Sequence, residues 1–220
     1  MTAHSYSNLN TYDTCPRKYE WQYVFKHKEP KSDQQLWGIR VHEALERRVQ
    51  YKAPLIGEYE QYEWCAKPIL AMEAMGAAVL TECKFAVTKE GTTTEFFGKD
   101  VFLRGVTDVF IVGERTGQNI DYKTGRPKHD FNQLELCNLL AFAKFPQLEQ
   151  IESRYLWLQA QKSTHRVMNR SDMPKVLDKW IPIIERVEGS ITSGVFKEKP
   201  NGLCREYCAC LECPHNGRGK

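Results

Sequence analysis

The sequence contains 220 residues, of which 41% are hydrophobic, 27% charged and 11% aromatic, so a disordered or fibrous chain is excluded. Its net charge of +3 is too small to indicate a nucleic-acid-binding protein by itself. No run of about 18 apolar residues is present, as a membrane-spanning helix would require. The first ten residues show neither the basic nor the apolar region of a secretory signal. We therefore expect a cytoplasmic protein that does not enter membranes.

Helical patterns fill the first third of the chain. Residues 5–24 predict two short helices that break near Pro16, because proline interrupts a helix interior. The aromatic side chains of this segment are explained either by packing in a helical hairpin or by stacking on single-stranded bases. A longer helix is expected over 36–51, where apolar residues recur every four positions, and another over 63–78.

The hydrophobic pattern then changes to that of strands, which are expected over 81–88, 101–112 and 119–123. A helix over 133–145, a hairpin of strands 153–161 and 164–170, and a final helix from about 171 to 192 complete the expected elements. This order predicts an α/β fold with a central mixed sheet flanked by helices, preceded by N-terminal helices and followed by a cysteine-rich tail. We expect one domain over 1–220.

Candidate catalytic residues lie on two of these strands. Asp121 and Lys123 are two residues apart, so their side chains leave the strand on one face while Tyr122 points to the other. Counting back through the hairpin turn places Asp108 roughly opposite 121–123. Two carboxylates and an amine would then share one patch of the sheet, which suits a hard divalent cation and a lysine that polarises water.

A solvated salt bridge is the ordinary explanation of an Asp-x-Lys pair. Asp108 argues against it here, because it lies within the otherwise apolar strand VTDVFIV. An unpaired carboxylate in such a strand is costly to bury and calls for a cation or another partner. His42 is a further candidate, although a lone histidine on a helix is usually structural.

These residues occur in motifs that resemble those of RecB-like nucleases of the PD-(D/E)XK superfamily. The motifs are Gly38-x-x-x-His42-x-x-Leu45-Glu46, Gly105-x-x-Asp108, Asp121-Tyr122-Lys123-Thr124-Gly125 and Gln133-x-x-x-Cys137. The opening Cys15-Pro16-Arg17-Lys18-Tyr19 and the terminal cysteines look like the iron–sulfur branch, which includes AddB-type helicase-nucleases and CRISPR-adaptation nucleases. The resemblance implies a restriction-endonuclease-like core and metal-dependent cleavage of DNA phosphodiester bonds.

The resemblance also implies roles for individual residues. His42, Asp108, Asp121 and the carbonyl of Tyr122 would bind Mg²⁺ or Mn²⁺, and a histidine ligand suits Mn²⁺ better. Lys123 would orient the attacking water, and Gln133 would support the site or contact the DNA backbone. The family usually has a tyrosine four residues after this glutamine, where the present sequence has Cys137.

The cysteines are concentrated at the C-terminus, where four of the eight fall within ten residues. In a reducing compartment such crowding favours a metal or cluster over disulfides. The resemblance implies a [4Fe–4S] cluster bound by Cys15, Cys204, Cys208 and Cys213, with Cys210 left over. Zn²⁺ on the same thiolates, or free thiols without any metal, are the alternatives. Segments 1–30 and 196–215 would form the lobe that holds this group.

The expected function is therefore that of a DNA exonuclease acting on single strands or duplex ends, in recombination, repair or phage replication. A stand-alone chain of this size resembles phage-encoded or CRISPR-associated versions, which implies a bacterial or phage-infected host cytosol. Two alternatives are a non-catalytic DNA-binding module of a larger complex and a site-specific endonuclease of the same superfamily. No protein partner is indicated.

Overall fold

The computed structural model describes residues 3–218, which divide into two compact units. The first unit comprises Ala3 and 31–176 and contains the sheet with helices α3, α4 and α5. The second unit combines 4–30 with 177–218 and contains the N-terminal helices and the cysteine-rich tail. The expected single domain, with a lobe formed by 1–30 and 196–215, stays a prediction.

The described chain forms six α-helices and five β-strands. The helices are α1 (Tyr6–Thr14), α2 (Pro16–Tyr19), α3 (Asp33–Tyr51), α4 (Glu63–Ala74), α5 (Asn132–Lys144) and α6 (Met173–Ser193). The strands are β1 (Ala78–Val87), β2 (Leu103–Val112), β3 (Thr116–Lys123), β4 (Gln150–Trp157) and β5 (Lys162–Asn169). Shorter helical turns cover Glu20–Val24, Gly57–Tyr62 and Arg170–Asp172.

The five strands form one mixed sheet in the order β1-β2-β3-β4-β5. Neighbouring strands are antiparallel except β3 and β4, which run parallel and are connected through α5. A parallel pair needs a crossover of this kind, because no tight turn can return the chain to the same end of the sheet. The predicted α/β fold with a central mixed sheet and flanking helices is confirmed.

Helices cover both faces of the sheet. Val41, Leu45 and Val49 of α3 are buried in a cluster with residues of α4 and of the three central strands. Burial of an aliphatic side chain of this size contributes about 1.5–3 kcal/mol. On the other face, Phe145 at the end of α5 stacks on Phe110 of β2, with ring centroids 5.4 Å apart. The strands that carry the candidate site are therefore fixed from both sides.

Several element boundaries differ from those expected from the sequence, among them the end of α4 and the turn of the last hairpin. The helix expected over 63–78 ends at Ala74, because Gly76 adopts the left-handed conformation (φ +95°) and β1 begins two residues later. The sequence pattern predicts the turn of the last hairpin around Lys162–Ser163, and this prediction is wrong. β4 ends at Trp157 and the chain turns over 158–161, where Gln161 adopts φ +48°.

A buried polar network crosses the first unit beneath the candidate site. The hydroxyl of Thr107 donates to Asn119 Oδ1, and Asn119 Nδ2 donates to Asn138 Oδ1 at 2.8 Å. Asn138 Nδ2 in turn donates to Ser153 Oγ at 2.8 Å. All four side chains are buried, so each hydrogen bond replaces one that water can no longer supply. The network connects β2, β3, α5 and β4.

The second unit is packed around its N-terminal helices. Ser5 begins α1 with a reciprocal capping box to Asn8, and the hydroxyl of Tyr12 donates to the carbonyl of Arg186 in α6 at 2.8 Å. Tyr12 and Tyr19 are buried, so packing accounts for these two aromatic side chains. No helix within residues 3–218 has the length and apolarity to cross a bilayer.

Candidate active site

Helix α3 brings a histidine to the sheet. The helix begins with a capping box between Ser32 and Gln35, and its apolar residues hold it against the strands. His42 lies next to this apolar stripe, and its Nδ1 atom is 3.2 Å from Asp108 Oδ1. Burial on its own lowers the pKa of His42, but the hydrogen bond and the charges of Asp108 and Asp121 outweigh it, so the pKa is raised.

Asp108 connects β2 to β3 at the point where their regular pairing stops. The last paired residues are Val109 and Ile120, and one further step of this register puts Asp108 opposite Asp121. The backbone N–H of Tyr122 donates to Asp108 Oδ2 at 2.6 Å. Both oxygens of Asp108 are therefore held, one by the histidine and one by the next strand, and the carboxylate lies where hairpin counting placed it.

A break in strand alternation turns Asp108 toward α3. Thr107 bonds to Asn119, on the α5 face, whereas Val109 belongs to the cluster under α3 and α4. Under regular alternation Thr107 and Val109 would share one face, so the alternation breaks between them, and Asp108 lies with Val109 on the α3 face, where it contacts His42. The pairing of β1 with β2 skips this position, and the residue opposite it, Glu82, has φ +45°.

Asp121, Lys123 and Gln133 form the second half of the site. Lys123 Nζ lies 2.6 Å from Asp121 Oδ2 and donates to Gln133 Oε1 at 2.9 Å. Gln133 Nε2 donates to Asp121 Oδ1, also at 2.9 Å. The glutamine stands in the first turn of α5, so the start of that helix positions both charged groups. The ring of Tyr155 lies 5.2 Å from Lys123 Nζ and supports the ammonium group from β4.

Asp121 is the most buried charged group of the site, with only 4% of its surface exposed. Burial raises its pKa most, the negative charge of Asp108 adds to this, and Lys123 opposes both. Lys123 supplies Asp121 Oδ2 with one counter-charge. Two mutually repelling carboxylates, one of them buried, create a demand for more positive charge than one lysine provides.

The donors fit a divalent cation by type. Carboxylate oxygens and a backbone carbonyl are ligands of Mg²⁺ and Mn²⁺, and an imidazole nitrogen is accepted by Mn²⁺. In the structure Asp108 is hydrogen-bonded to His42 and Asp121 is paired with Lys123. Accordingly, no three His, Cys, Asp or Glu side chains within residues 3–218 are already arranged around a common point for a metal. A cation would exchange these partners for coordination bonds.

Tyr122 and Cys137 are buried in the core beside this site. The Tyr122 ring points away from Asp121 into the α3–α4 cluster and meets His42 edge-on, with ring centroids 5.8 Å apart. Cys137, at the position where the family usually has a tyrosine, is buried on α5. Its Sγ atom would lie 3.0 Å from a Cβ atom at Gly105, so the helix approaches β2 closely because that residue is glycine. Burial raises the pKa of Cys137 to about 12, which keeps the thiol neutral.

Glu82 is a residue that the sequence did not single out. It lies opposite Asp108 in β1, and burial together with the charges of Asp108 and Glu46 raises its pKa. The segment TEC gives no hint of this, because strand alternation alone does not reveal the left-handed backbone that turns the side chain. The site thus has a third acidic group on its β1 side.

The four predicted cluster cysteines lie together with Cys210 in the second unit. Cys15, Cys204, Cys208, Cys210 and Cys213 line one cavity of about 60 Å³, and all are free thiols. Asn201 Nδ2 donates to the carbonyl of Thr14 at 3.3 Å, which attaches the tail next to Cys15. Cys210, the cysteine expected to be left over, is the most buried of the five, and burial followed by the charges of Cys208 and Cys213 raises its pKa.

The sequence was compared with models of protein families. The model of the PD-(D/E)XK nuclease superfamily matches residues 3–214, which is nearly the whole chain. The chain belongs to the PD-(D/E)XK nuclease superfamily. Nucleases of this superfamily generally use divalent metals such as Mg²⁺, in agreement with the donors found at the junction of α3, β2 and β3. None of the curated proteins matches the sequence significantly.

Two solved structures are among those similar to this PD-(D/E)XK chain. A proposed exonuclease from Eubacterium rectale is 11% identical, has a TM-score of 0.55, and is matched over 93% of this chain and 86% of its own. A protein named SSO0001 is 13% identical with a TM-score of 0.45, over 94% of this chain and 84% of its own. At 11% identity, the similarity to the Eubacterium rectale protein shows a common fold and nothing more.

Proposed function

We propose that this PD-(D/E)XK protein is a divalent-metal-dependent deoxyribonuclease that hydrolyses phosphodiester bonds from DNA ends, in recombination, repair or phage replication. The observation that carries the proposal is the convergence of Asp108, Asp121 and Lys123 from two strands. The carboxylates repel each other, one is buried, and the lysine contacts the buried one directly. A merely structural salt bridge would not need the second carboxylate.

In this proposal His42, Asp108, Asp121 and the carbonyl of Tyr122 hold the cation. A divalent cation bound there would stabilise the charge that develops on the phosphoryl group and lower the pKa of a water molecule. Hydrogen bonds position these donors: β3 holds one oxygen of Asp108 and α5 holds one oxygen of Asp121. Little rearrangement of the backbone is then needed on binding.

Lys123 is proposed to orient the attacking water and to balance charge on the phosphate. An ammonium group has three N–H donors, and in Lys123 two of them face Asp121 and Gln133. The remaining N–H can face a water molecule or a phosphate oxygen. Gln133 acts by holding Asp121 and Lys123 in register with each other, since it contacts both.

We further propose that Cys15 and three of the four C-terminal cysteines bind a [4Fe–4S] cluster or, alternatively, Zn²⁺. The shared cavity of the five thiols supports this proposal. Thiolates are the ligands that both groups require. The tail from 204 to 213 buries only Cys210, so apolar packing gives it little stability of its own.

Incubation of the purified protein with end-labelled DNA tests the nuclease proposal. Single-stranded, blunt and circular substrates are each combined with Mn²⁺, Mg²⁺ or EDTA. We expect release of mononucleotides or short products from linear DNA with metal, and none with EDTA.

Other outcomes would identify the two alternatives. Cleavage of circular DNA at fixed positions would indicate a site-specific endonuclease. DNA binding without cleavage under every metal condition would indicate a non-catalytic binding module and would contradict the proposal.

A further inference from the structure

An exposed aromatic pair lies on the loop between β1 and β2. Phe96 and Phe97 pack edge to face with ring centroids 5.0 Å apart, and Phe97 is 79% exposed. A large apolar side chain that stays this exposed does not contribute the favourable free energy that its burial would give. Neither ring contributes to the hydrophobic core, so folding does not explain the pair.

Two cations flank these rings. Arg104 of β2 places its guanidinium carbon 5.1 Å from the Phe96 centroid and 5.6 Å from that of Phe97. Lys84 of β1 places Nζ 5.9 Å from each centroid. Within the described chain neither cation forms an ion pair with a carboxylate. One guanidinium N–H of Arg104 donates to the carbonyl of Phe96, and the other N–H groups remain available as donors.

The cations share a sheet face with the His42–Asp108 pair. Phe85 packs on Phe110 and Phe145, on the α5 face, so its neighbour Lys84 points to the opposite face. A Cβ at Gly105 would point at α5, which places Arg104 on that opposite face as well. Asp108 turns to this same face to reach His42.

The positions along β2 give the distance of the two cations from Asp108. Arg104 precedes Asp108 by four residues, which corresponds to about 13 Å along an antiparallel strand. At about 3.4 Å per nucleotide in one strand of a duplex, this distance spans roughly four nucleotides. Lys84, paired with Val106, lies about half as far from the site.

We propose that Phe96, Phe97, Lys84 and Arg104 form a stacking platform for single-stranded DNA a few nucleotides from the bond that is cleaved. The proposal deepens the proposed nuclease function and rests on it for the position of that bond. Phe97 offers an open ring face to a base, while Lys84 and Arg104 offer free N–H donors to the adjacent phosphates. The loop also carries Glu90, Glu95 and Asp100, so its attraction to DNA is local to the two cations rather than a property of the whole loop.

Fluorescence of 2-aminopurine in an oligonucleotide of about 12 nucleotides tests the platform, because stacking quenches this base. The reporter is moved one position at a time from the end, and binding is measured in EDTA to prevent cleavage. We expect quenching a few nucleotides from the bound end. Phe97→Ala should abolish that quenching and raise Kd by about tenfold, whereas Tyr51→Ala, which removes a similarly exposed ring on α3, should change neither.

Lys84→Ala should reduce the slope of log Kd against log salt by about one, as loss of one phosphate contact predicts. Unchanged quenching, Kd and salt slope in the variants, or no binding of single strands by the wild-type protein, would overturn the platform. Hydrolysis of bis(4-nitrophenyl) phosphate with Mn²⁺ reports the nuclease site separately, because this substrate is too small to reach the rings. Failure of the wild-type protein in that assay and on DNA would contradict the nuclease proposal instead.

Discussion

The metal-binding candidates on the sheet and the cysteines of the tail differ in what holds them. Asp108 and Asp121 lie on central strands of the sheet, and each carboxylate is hydrogen-bonded by a neighbouring element. The cysteines lie on turns, and of the residues from 204 to 213 only Cys210 is buried. The fold thus holds the carboxylates of the sheet site in place by hydrogen bonds, whereas under the proposal of a bound cluster or Zn²⁺ the tail would depend on that group for much of its order. Loss of a metal from the sheet site should therefore lower activity and leave stability nearly unchanged. Loss of a metal or cluster from the cysteines should instead destabilise the protein.

The largest expected effect is at the cysteines. Cys15→Ser should remove the bound iron or zinc completely and destabilise the protein, because binding of a structural metal contributes directly to folding. We measure the metal content of anaerobically purified protein, its absorbance near roughly 400 nm and its thermal midpoint. About four irons per chain would indicate the cluster, and one zinc would indicate the alternative. Cys83→Ser, which changes a half-buried cysteine of β1, is the control and should keep the metal. A metal-free wild-type protein with a stable fold would refute both versions.

A smaller effect is expected at the histidine of the sheet site. His42→Ala should weaken Mn²⁺ binding and activity by about 10–100-fold, since one of several ligands is lost, and excess Mn²⁺ should restore part of the activity. Thermal unfolding without metal should change little, because the apolar stripe of α3 remains. Calorimetric titration with Mn²⁺ checks the affinity, and His165→Ala on the exposed side of β5 is the matched control. Equal Mn²⁺ affinity in the wild-type protein and in His42→Ala would show that the histidine only packs and does not bind the metal.

The smallest effect concerns the polar network that supports the sheet site. Asn138→Ala leaves the buried amide of Asn119 and the hydroxyl of Ser153 without their partner, which should cost about 1–3 kcal/mol in the free energy of unfolding. Urea unfolding measures the change. Asn10→Ala on the exposed surface of α1 should shift stability by less than about 0.5 kcal/mol. A loss as small as that of the control would show that the network does not stabilise the support of the site.

The sequence predicts the sheet site well, because the relevant rules are local. Alternation on a strand places Asp121 and Lys123 on one face, and counting through one hairpin brings Asp108 opposite. The fold class follows from the order of helices and strands for a similar reason. Membership of the superfamily agrees with this order, and the individual catalytic and ligand roles stay predictions.

The sequence does not predict features that depend on irregular backbone or on packing between distant segments. The left-handed conformation of Glu82 adds an acidic side chain next to Asp108, and no propensity rule anticipates it. Asn119 and Asn138 read as ordinary polar residues until the fold brings them together in the core. The turn before β5 differs from the prediction for the same reason, since the parallel pairing with β3 extends only to Trp157 of β4.

Asp108→Asn tests the central claim most directly. The substitution keeps an oxygen that can accept the N–H of Tyr122 but removes the negative charge, so the strands should stay connected while the cation loses a ligand. We predict that cleavage of end-labelled DNA with Mn²⁺ falls by roughly 10³-fold, with an unchanged thermal midpoint in EDTA. Asp178→Asn, on the exposed face of α6, should keep wild-type activity. Wild-type cleavage by a correctly folded Asp108→Asn protein would contradict the claim that these carboxylates hold the catalytic metal.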